Sequence, residues 1–278
     1  MSIDPNDYEF LSSLVAKRSG LALGAGKEYL LEARLLPIAN SLGLTSLAEL
    51  VRRLRTSRDE SLAATITEAM TTNETLFFRD RTPFDELRDQ LLPDMIAARQ
   101  TTRRLRIWSA AASTGQEAYS LLMTLRESFP QLAGWRIEMI GTDISQQALA
   151  KAKNGIYSQF EVQRGLPIQL LVKYFRQVPQ GWQITDDLRS SVTFRTLNLL
   201  ESFTSLGEFD LIFCRNVLIY FEQINKTAIL DRMEKQLRSD GYLVLGAAET
   251  VLGVTNRFQR VRTCKSAVYS PTKSLQTV

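Results

Sequence analysis

Four acid or amide side chains stand just beyond short apolar runs of the sequence, at Glu117, Asp143, Asn198 and Asn216. Glu117 follows residues 109–115, which are all small, so the backbone there can come close to a ligand. This stretch has one glycine and an acid where a phosphate-binding loop would carry several glycines. A carboxylate at a helix start repels phosphate and suits a cationic ligand group, although glutamate is equally common there as ordinary helix capping.

The other three residues are suited to hydrogen bonds with a nucleoside. An acid at the tip of the second strand of a dinucleotide site accepts hydrogen bonds from ribose hydroxyls, and Asp143 has that place. The alternative is that Asp143 or Ser145 caps the next helix. Asn198 can bind an adenine edge or close a turn, and Asn216 follows a nearly continuous apolar run. Together they predict a nucleoside pocket without a phosphate grip.

A cationic nucleoside without phosphate describes S-adenosyl-L-methionine, which joins adenine and ribose to a sulfonium and an amino acid tail. We therefore expect this cofactor, with S-adenosyl-L-homocysteine as its product. The chain has no histidine, which removes the commonest general base and the commonest metal ligand. Its two cysteines, Cys214 and Cys264, form no CxxC pair. We expect no metal site and a buried, inert thiol at Cys214.

The hydrophobic periodicity predicts which elements hold these residues. Apolar residues recur at helical spacing between residues 6 and 70, which predicts a small helical domain over residues 1–70. A linker with a helix follows over 71–100, and strand-like runs then alternate with helix-like stretches over 101–278. This alternation predicts an α/β domain with a doubly wound, mostly parallel sheet. An irregular stretch at about 172–195 suggests a small β insertion.

Composition is that of a globular protein, with 44% hydrophobic and 23% charged residues. No apolar run is long enough to span a bilayer, and the first residues do not resemble a secretory signal. We expect a cytoplasmic protein without membrane insertion. No acid follows Glu249, whereas five bases do: Arg257, Arg260, Arg262, Lys265 and Lys273. Such a basic end is a solvated surface or contacts an acidic partner; without an RNA-binding signature, we expect no nucleic acid.

Five segments resemble the CheR family of bacterial chemotaxis receptor glutamate methyltransferases. They are, in family order and spacing, TTNETLFFRD, WSAAASTGQEAYS, GTDIS, FDLIFCRNVLIYF and GYLVLGAAET. The resemblance covers nearly the whole chain. It implies a helical N-terminal domain, a linker and a Rossmann-like class I methyltransferase domain with a small β insertion. It also implies an enzyme that uses S-adenosyl-L-methionine to methylate the cytoplasmic domains of chemoreceptors, and we expect it to be a monomer.

The resemblance also assigns residues to the cofactor. In the family, the segment matching 71–80 covers the cofactor, with Phe77 and Phe78 anchoring it. The cofactor-binding positions that carry over to this chain are Asn73, Thr75, Arg79, Glu117, Asp143, Asn198, Leu199, Arg215 and Asn216.

Three features depart from the family pattern. This chain has GQEAYS where the family commonly has GEEPYS, but the second acid, Glu117, is kept. Its β insertion has one glycine where members that tether to a receptor pentapeptide have several, so we expect no such tethering. Its second helix carries only Lys27 and Arg34, where the family tends to be strongly basic. A denser basic set follows at Arg52, Arg53, Arg55 and Arg58.

A glutamate acceptor agrees with the absence of histidine. A free glutamate side chain has a pKa of about 4.3, so it is ionised at neutral pH and needs no general base. We expect Arg79 to orient the incoming carboxylate and Tyr220 to donate a hydrogen bond to it; alternatively, Tyr220 only packs at a strand-to-helix junction. Two other functions remain: a methyltransferase for small molecules or nucleic acid, and a non-catalytic cofactor-binding adaptor.

Overall fold

A computed structural model describes residues 3–24, 26–57 and 59–272. Arg58 and Lys273, which belong to the two basic sets of the sequence, lie outside the described residues. The chain divides into two compact units. One contains the residues up to Thr72 together with Tyr220–Asn225, and the other contains Asn73–Ile219 and the residues from Lys226 onward.

The first unit is built from four helices, as the periodicity predicts. They are α1 (Pro5–Ser19), α2 (Glu28–Ser41), α3 (Leu47–Ser57) and α4 (Glu60–Ala69). Asp4 and Asp59 cap the starts of α1 and α4, accepting the N–H groups of Asn6 and Leu62, and Gly20 ends α1 in a left-handed conformation. The apolar stripes of the helices form one buried core, which includes Leu11, Val15, Leu31, Leu35, Leu50 and Ile66.

Arg34 on α2 is engaged inside this unit. Its Nη1 donates to the carbonyl oxygens of Met70 at 2.7 Å and Thr71 at 2.8 Å, and its Nη2 donates to the Thr72 hydroxyl. These carbonyls follow α4, where helical hydrogen bonding has ended and acceptors need partners. One of the two bases on the second helix therefore holds the end of α4 in place.

The second unit contains a seven-stranded sheet and a three-stranded sheet, and it confirms the predicted fold class. The strands are β1 (Arg104–Ala110), β2 (Arg136–Asp143), β3 (Ile156–Tyr157), β4 (Phe175–Val178), β5 (Gly181–Ile184), β6 (Val192–Thr196), β7 (Phe209–Cys214), β8 (Leu237–Leu245), β9 (Phe258–Arg260) and β10 (Val268–Pro271). The large sheet has the order β6-β2-β1-β7-β8-β10-β9, and its first five members are parallel. Strands β9 and β10 extend it as an antiparallel edge.

Helices alternate with these strands. They are α5 (Thr82–Glu86), α6 (Leu92–Ala98), α7 (Gln116–Ser128), α8 (Gln146–Asn154), α9 (Gln159–Gln163), α10 (Ile168–Tyr174), α11 (Asp186–Arg189) and α12 (Gln223–Gln236). One π-helical turn, Leu87–Leu91, joins α5 to α6. Pro93 follows it at the start of α6, and a proline cannot donate the i→i−4 hydrogen bond that would continue a regular helix.

The small sheet is the β insertion and has the order β3-β5-β4. Two residues, Pro179 and Gln180, connect β4 to β5, and residues from Val192 onward already belong to the large sheet as β6. The single glycine of this insertion, Gly181, has a φ of 138°, and a Cβ there would lie 2.3 Å from the carbonyl oxygen of Tyr157. Close backbone approach therefore requires glycine at this position.

One boundary and two short strands in the last third of the chain differ from the sequence pattern. The helix-like stretch of the sequence continues to Gly241, but α12 ends at Gln236, because Leu237 already pairs with Phe209 at the start of β8. A register irregularity follows before Tyr242 pairs with Leu211. Strands β9 and β10 were not predicted; they have three and four residues, too few for a clear alternation.

Candidate functional site

The parallel strands bring the polar strand tips to one edge of the sheet. Ala110 at the end of β1 is in register with Thr142 of β2 and with Cys214 of β7. Asp143 is in register with Thr196 of β6, and Cys214 with Leu245 of β8. The loops that follow these five strands therefore start side by side, at the carboxyl edge where open α/β sheets bind ligands.

The loop after β1 has an unusual backbone. Ala111, Ser113 and Gly115 have φ values of 55°, 50° and 93°, so the left-handed conformation recurs at alternate residues. Non-glycine residues in this conformation store strain that the surroundings must offset, and such strain is concentrated at functional sites. At Gly115, a Cβ would lie 2.9 Å from the Cβ of Ala152, so only glycine fits without a shift.

Asp143 holds this loop to the second strand. Its Oδ2 accepts the N–H of Ser113 at 2.8 Å, and its Oδ1 accepts the N–H of Ser145 at 2.9 Å. The N-cap of α8 is Ser145, whose hydroxyl accepts the N–H of Ala148, so the capping alternative applies to Ser145. Each carboxylate oxygen can accept more than one hydrogen bond; the ribose role of Asp143 stays a prediction.

Glu117, in the first turn of α7, forms a buried ion pair with Arg215, which follows β7. Glu117 Oε1 accepts the Ser109 hydroxyl at 2.8 Å, and its Oε2 lies 3.1 Å from Arg215 Nη1. Burial raises the pKa of the Glu117 carboxyl, and the charge of Arg215 opposes that rise. The Arg215 side chain is 1% exposed, and its Nη2 also donates to Asp80 Oδ2 at 2.7 Å and to the Arg79 carbonyl at 3.0 Å.

The segment from Asn73 to Asp80 is anchored by its phenylalanines, as expected from the sequence, and Phe77 reaches the small sheet. Phe77 is fully buried and packs edge-to-face on Tyr157 and Phe175, at centroid distances of 5.0 and 5.6 Å. The N–H of Phe78 donates to the hydroxyl of Ser120.

Further contacts hold the rest of this segment. The Asn73 carbonyl accepts the Ser113 hydroxyl at 2.7 Å. Phe78, Asp80 and Arg81 have φ values of 49°, 68° and 48°, so the chain makes a strained turn where it contacts Arg215. The contacts around this strained turn are what stabilise it.

Three polar residues of the segment were predicted to contact the cofactor. Asn73, Thr75 and Arg79 are each half-buried. Arg79 Nη1 donates to the carbonyl of Glu74 at 3.2 Å, which uses one of the N–H groups of a side chain that has five. The segment therefore presents them beside the β1 loop; their contact with a cofactor stays a prediction.

Asn198 and Leu199 follow β6. Asn198 Oδ1 accepts the N–H of Leu200 at 3.0 Å, so this residue does close a turn. Leu199 is buried, and its carbonyl accepts Arg232 Nη2 at 2.6 Å. The proposed contact of Asn198 with an adenine edge stays a prediction alongside the turn.

Glu249 is a residue of this edge that the sequence interpretation missed. Its Oε1 accepts the N–H groups of Val217 and Leu218 at 2.9 and 2.7 Å, and its Oε2 accepts those of Asn216 and Gly246 at 2.8 and 2.7 Å. The left-handed Asn216, with a φ of 58°, is held by this buried carboxylate. The available signal was its position, because Glu249 comes shortly after the apolar run of β8, and Asp143 ends the apolar run of β2.

Tyr220 belongs to a different part of the structure from the other predicted residues. It ends the short 3₁₀ turn Leu218–Tyr220 and is grouped with the helical unit. Its carbonyl accepts the N–H of Ala22 at 2.9 Å, beside an isolated bridge between Leu21 and Phe221. The catalytic role of Tyr220 stays a prediction.

The chemistry of this edge fits a sulfonium nucleoside. Its loops offer the carboxylates of Glu117 and Asp143, two amides and small residues, and its buried arginine, Arg215, is already paired with acids. No group of metal-binding side chains occurs in the described parts of the chain. Cys214 is fully buried, and burial raises the pKa of its thiol well above the usual value, which agrees with an inert cysteine.

Comparison with known proteins decides the family. Residues 73–267 match the CheR methyltransferase, SAM binding domain, and residues 6–71 match the CheR methyltransferase, all-alpha domain. This chain belongs to the CheR methyltransferase family. Its cofactor is therefore S-adenosyl-L-methionine, as the strand-tip residues predicted.

Chemotaxis protein methyltransferases of several bacteria resemble this chain over nearly its full length. Chemotaxis protein methyltransferase 1 of Pseudomonas aeruginosa is 42% identical over 97% of this chain and 99% of its own length. The chemotaxis protein methyltransferase of Vibrio anguillarum is 40% identical over 97% of this chain and 98% of its own. That of Escherichia coli is 34% identical over 93% and 89%. Within the described residues, no helix has the length and apolar character needed to cross a bilayer.

Proposed function

We propose that this protein transfers the methyl group of S-adenosyl-L-methionine to glutamate side chains in the cytoplasmic domains of chemoreceptors, forming glutamate methyl esters. It acts in the cytoplasm as a monomer, and it does so without tethering to a receptor pentapeptide. Relatives named chemotaxis protein methyltransferase, similar over 97% of the chain, support the receptor substrate.

The observation that carries the proposal is the set of polar side chains on one sheet edge. Glu117 and Asp143 offer carboxylates to the amino, ribose and sulfonium groups of the cofactor, whose role is to present a methyl group on a positively charged sulfur. Carboxylates in this edge favour such a cation and disfavour phosphate. The surrounding loops are held by buried acids, so the site is organised before a ligand binds.

Transfer to a glutamate acceptor does not require any residue of the protein to remove a proton. A carboxylate is ionised at neutral pH, and the chain has no histidine to act as a base. What the protein contributes is alignment of the acceptor with the methyl group, which can lower a barrier by roughly 7–11 kcal/mol, and exclusion of water while opposite charges meet.

Arg79 is proposed to orient the acceptor. Its guanidinium has N–H groups beyond the one bonded to the Glu74 carbonyl, and a planar fork matches a carboxylate in two-point contact. The contact has to be moderate, because an interaction equally strong in the ground state does not accelerate the transfer. Tyr220 is proposed to donate a hydrogen bond to the same acceptor.

The proposal is tested with cofactor labelled on the methyl group and a set of chemoreceptor cytoplasmic fragments. Label should enter the fragment and be released in base, because methyl esters hydrolyse there whereas methylated amines do not. Base-stable label, or label only on nucleic acid or small molecules, contradicts the glutamate ester. Cofactor binding without any transfer would indicate a non-catalytic adaptor.

The role of Arg79 is tested in the same assay. Arg79→Ala should leave little transfer and also weaken cofactor binding, whereas Arg79→Lys should keep the charge but lose the two-point contact. The matched control is Arg88→Ala, which removes an exposed arginine paired with Asp85 and Asp89. Full activity of Arg79→Ala would exclude the orienting role.

A further inference from the structure

The basic end of the sequence forms part of a cavity next to the proposed site. Arg260 ends β9, and Lys265 lies in the loop from β9 to β10. A cavity of about 500 Å³ is lined by these two cations together with Asp80, Thr82, Thr250 and Ser266. Leu245 and Glu249 also line it, so the cavity opens at the carboxyl end of β8.

The two cations of this cavity lack acidic partners. Among the described residues, no carboxylate oxygen lies within 4.0 Å of a side-chain nitrogen of Arg260 or Lys265. Arg260 Nη2 donates to the carbonyls of Lys265 at 2.9 Å and Ser266 at 3.1 Å, which holds the loop but neutralises no charge. Both side chains belong to exposed residues.

The acids around the cavity are engaged elsewhere. Asp80 pairs with Arg215 at 2.7 Å, and Glu249 accepts backbone N–H groups through both of its oxygens. Glu86, beneath the loop, accepts the N–H of Lys265 at 2.5 Å and the hydroxyl of Ser266. The cavity therefore combines two cations that have no acidic partner among the described residues, and hydroxyl groups, with acids that are already bonded to other groups.

The position of the cavity relates it to the acceptor. Glu117, Asp143 and Asn198 follow β1, β2 and β6, whereas the cavity lies at β8 and β10, across β7 in the strand order. Arg215 and Asn216 follow β7 and lie between the two, so the cavity adjoins the predicted cofactor residues on their β8 side. An acceptor carboxylate has to approach from outside the cofactor residues, and the cavity is beside Asp80 and Arg215 on that side.

We propose that this cavity binds a second carboxylate side chain of the acceptor protein, close to the glutamate that is methylated. This rests on the proposed function, and it makes Lys265 and Arg260 determinants of substrate specificity. Two cations and hydroxyl groups match one side-chain carboxylate. Nucleic acid would require a longer track of cations and exposed aromatic rings, whereas Tyr269, which lines the cavity, is 1% exposed.

The experiment compares Lys265→Gln with Arg262→Gln, an exposed cation of the same loop that does not line the cavity. In methylation of a receptor fragment, Lys265→Gln should raise KM by about two- to fivefold, the range of a solvent-exposed ion pair, and leave kcat and the cofactor Kd unchanged. Arg262→Gln should behave as the wild type. Changing acids next to the acceptor glutamate to amides should remove the difference between Lys265→Gln and the wild type.

A second measurement does not depend on methyl transfer. A glutamate-rich peptide should bind the protein loaded with S-adenosyl-L-homocysteine, and Lys265→Gln should weaken that binding more than Arg262→Gln. Equal binding, or equal KM values for the two variants, overturns the inference. The inference is also overturned if a DNA oligonucleotide displaces the peptide from the protein. Absence of base-labile label with the wild type counts against the proposed function, while the peptide measurement still decides the role of the cavity.

Discussion

Asp143 braces the loop after β1, and it is also the residue predicted to bind the ribose of the cofactor. Its two oxygens accept the N–H groups of Ser113 and Ser145, a structural role that the capping alternative only partly described. The proposed ribose contact would use further lone pairs of the same oxygens. The effect of substituting Asp143 on affinity therefore has to be measured with two ligands that differ only in the ribose.

We expect Asp143→Ala to weaken binding of S-adenosyl-L-homocysteine by about 1–3 kcal/mol, the cost of leaving buried hydrogen-bond partners unsatisfied. Calorimetry is the measurement. An analogue that lacks the ribose hydroxyls should bind the wild type less tightly but show little further loss with the variant. The control, Asp59→Ala, removes the N-cap of α4 and should lower stability without changing affinity. Equal losses for both ligands would leave Asp143 only as a loop brace.

Glu117 makes stability depend on pH in a direction that can be worked out. Burial raises its pKa above the usual 4.5, so between pH 4.5 and the raised pKa the folded state keeps a proton that the unfolded state has released. Stability from this group is complete below pH 4.5 and is lost as pH rises through the folded pKa. We expect Glu117→Gln to become more stable relative to the wild type as pH increases, measured by urea unfolding from pH 4 to 8. Parallel profiles would contradict the raised pKa.

The residues that the sequence pattern located are those at strand tips. Glu117, Asp143, Asn198 and Asn216 follow apolar runs, and parallel strands bring such positions together whatever the details of the loops. The partners of these residues were not predictable. Glu249 reaches the N–H groups of residues 216–218 across more than 30 positions of sequence, and no local periodicity records such a contact.

At the scale of elements, close contact with the turn before α10 fixes the position of the Asn73–Asp80 segment. Gly165 has a φ of 88°, and a Cβ there would lie 2.2 Å from the carbonyl oxygen of Phe77. Gly253 has a similar φ of 72° with nothing within 4 Å of its Cβ position. Comparing alanine substitutions at Gly165 and Gly253 separates the free-energy cost of backbone strain from the cost of displacing the Asn73–Asp80 segment.

We expect both Gly165→Ala and Gly253→Ala to lose roughly 1–2 kcal/mol of stability from the left-handed backbone. Gly165→Ala should lose about 1–3 kcal/mol more from overpacking against Phe77, and it should also bind cofactor less tightly. Urea unfolding and calorimetry measure the two effects. If the two variants unfold alike, the segment tolerates a shift and does not depend on this contact.

Helices and strands were predictable where the apolar periodicity extended over a long stretch of sequence. The five parallel strands and the four helices of the first unit follow from periodicity and caps. The boundary between α12 and β8 did not, because residues 237–241 resemble a helix end while Leu237 gains a strand partner in Phe209. Tertiary pairing overrode local preference there, and the short β9 and β10 depended on it entirely.

At the scale of the whole molecule, the short insertion bears on how the protein meets its substrate. Strands β4 and β5 have four residues each, and Gly181 is occupied by close contact with Tyr157 rather than left as a flexible position. We expect equal kcat/KM for receptor fragments with and without their C-terminal pentapeptide, measured by methyl transfer. A lower kcat/KM for the fragment without the pentapeptide would indicate that the protein does tether to it.

The large sheet ends in a strand that offers little to another chain. Strand β9 has three residues, includes the charged Arg260, and lies next to a β10 that finishes at Pro271. Short, charged edges with nearby proline resist pairing between molecules. We therefore expect that, in concentrated solution, molecules do not associate through strand pairing at this edge of the sheet.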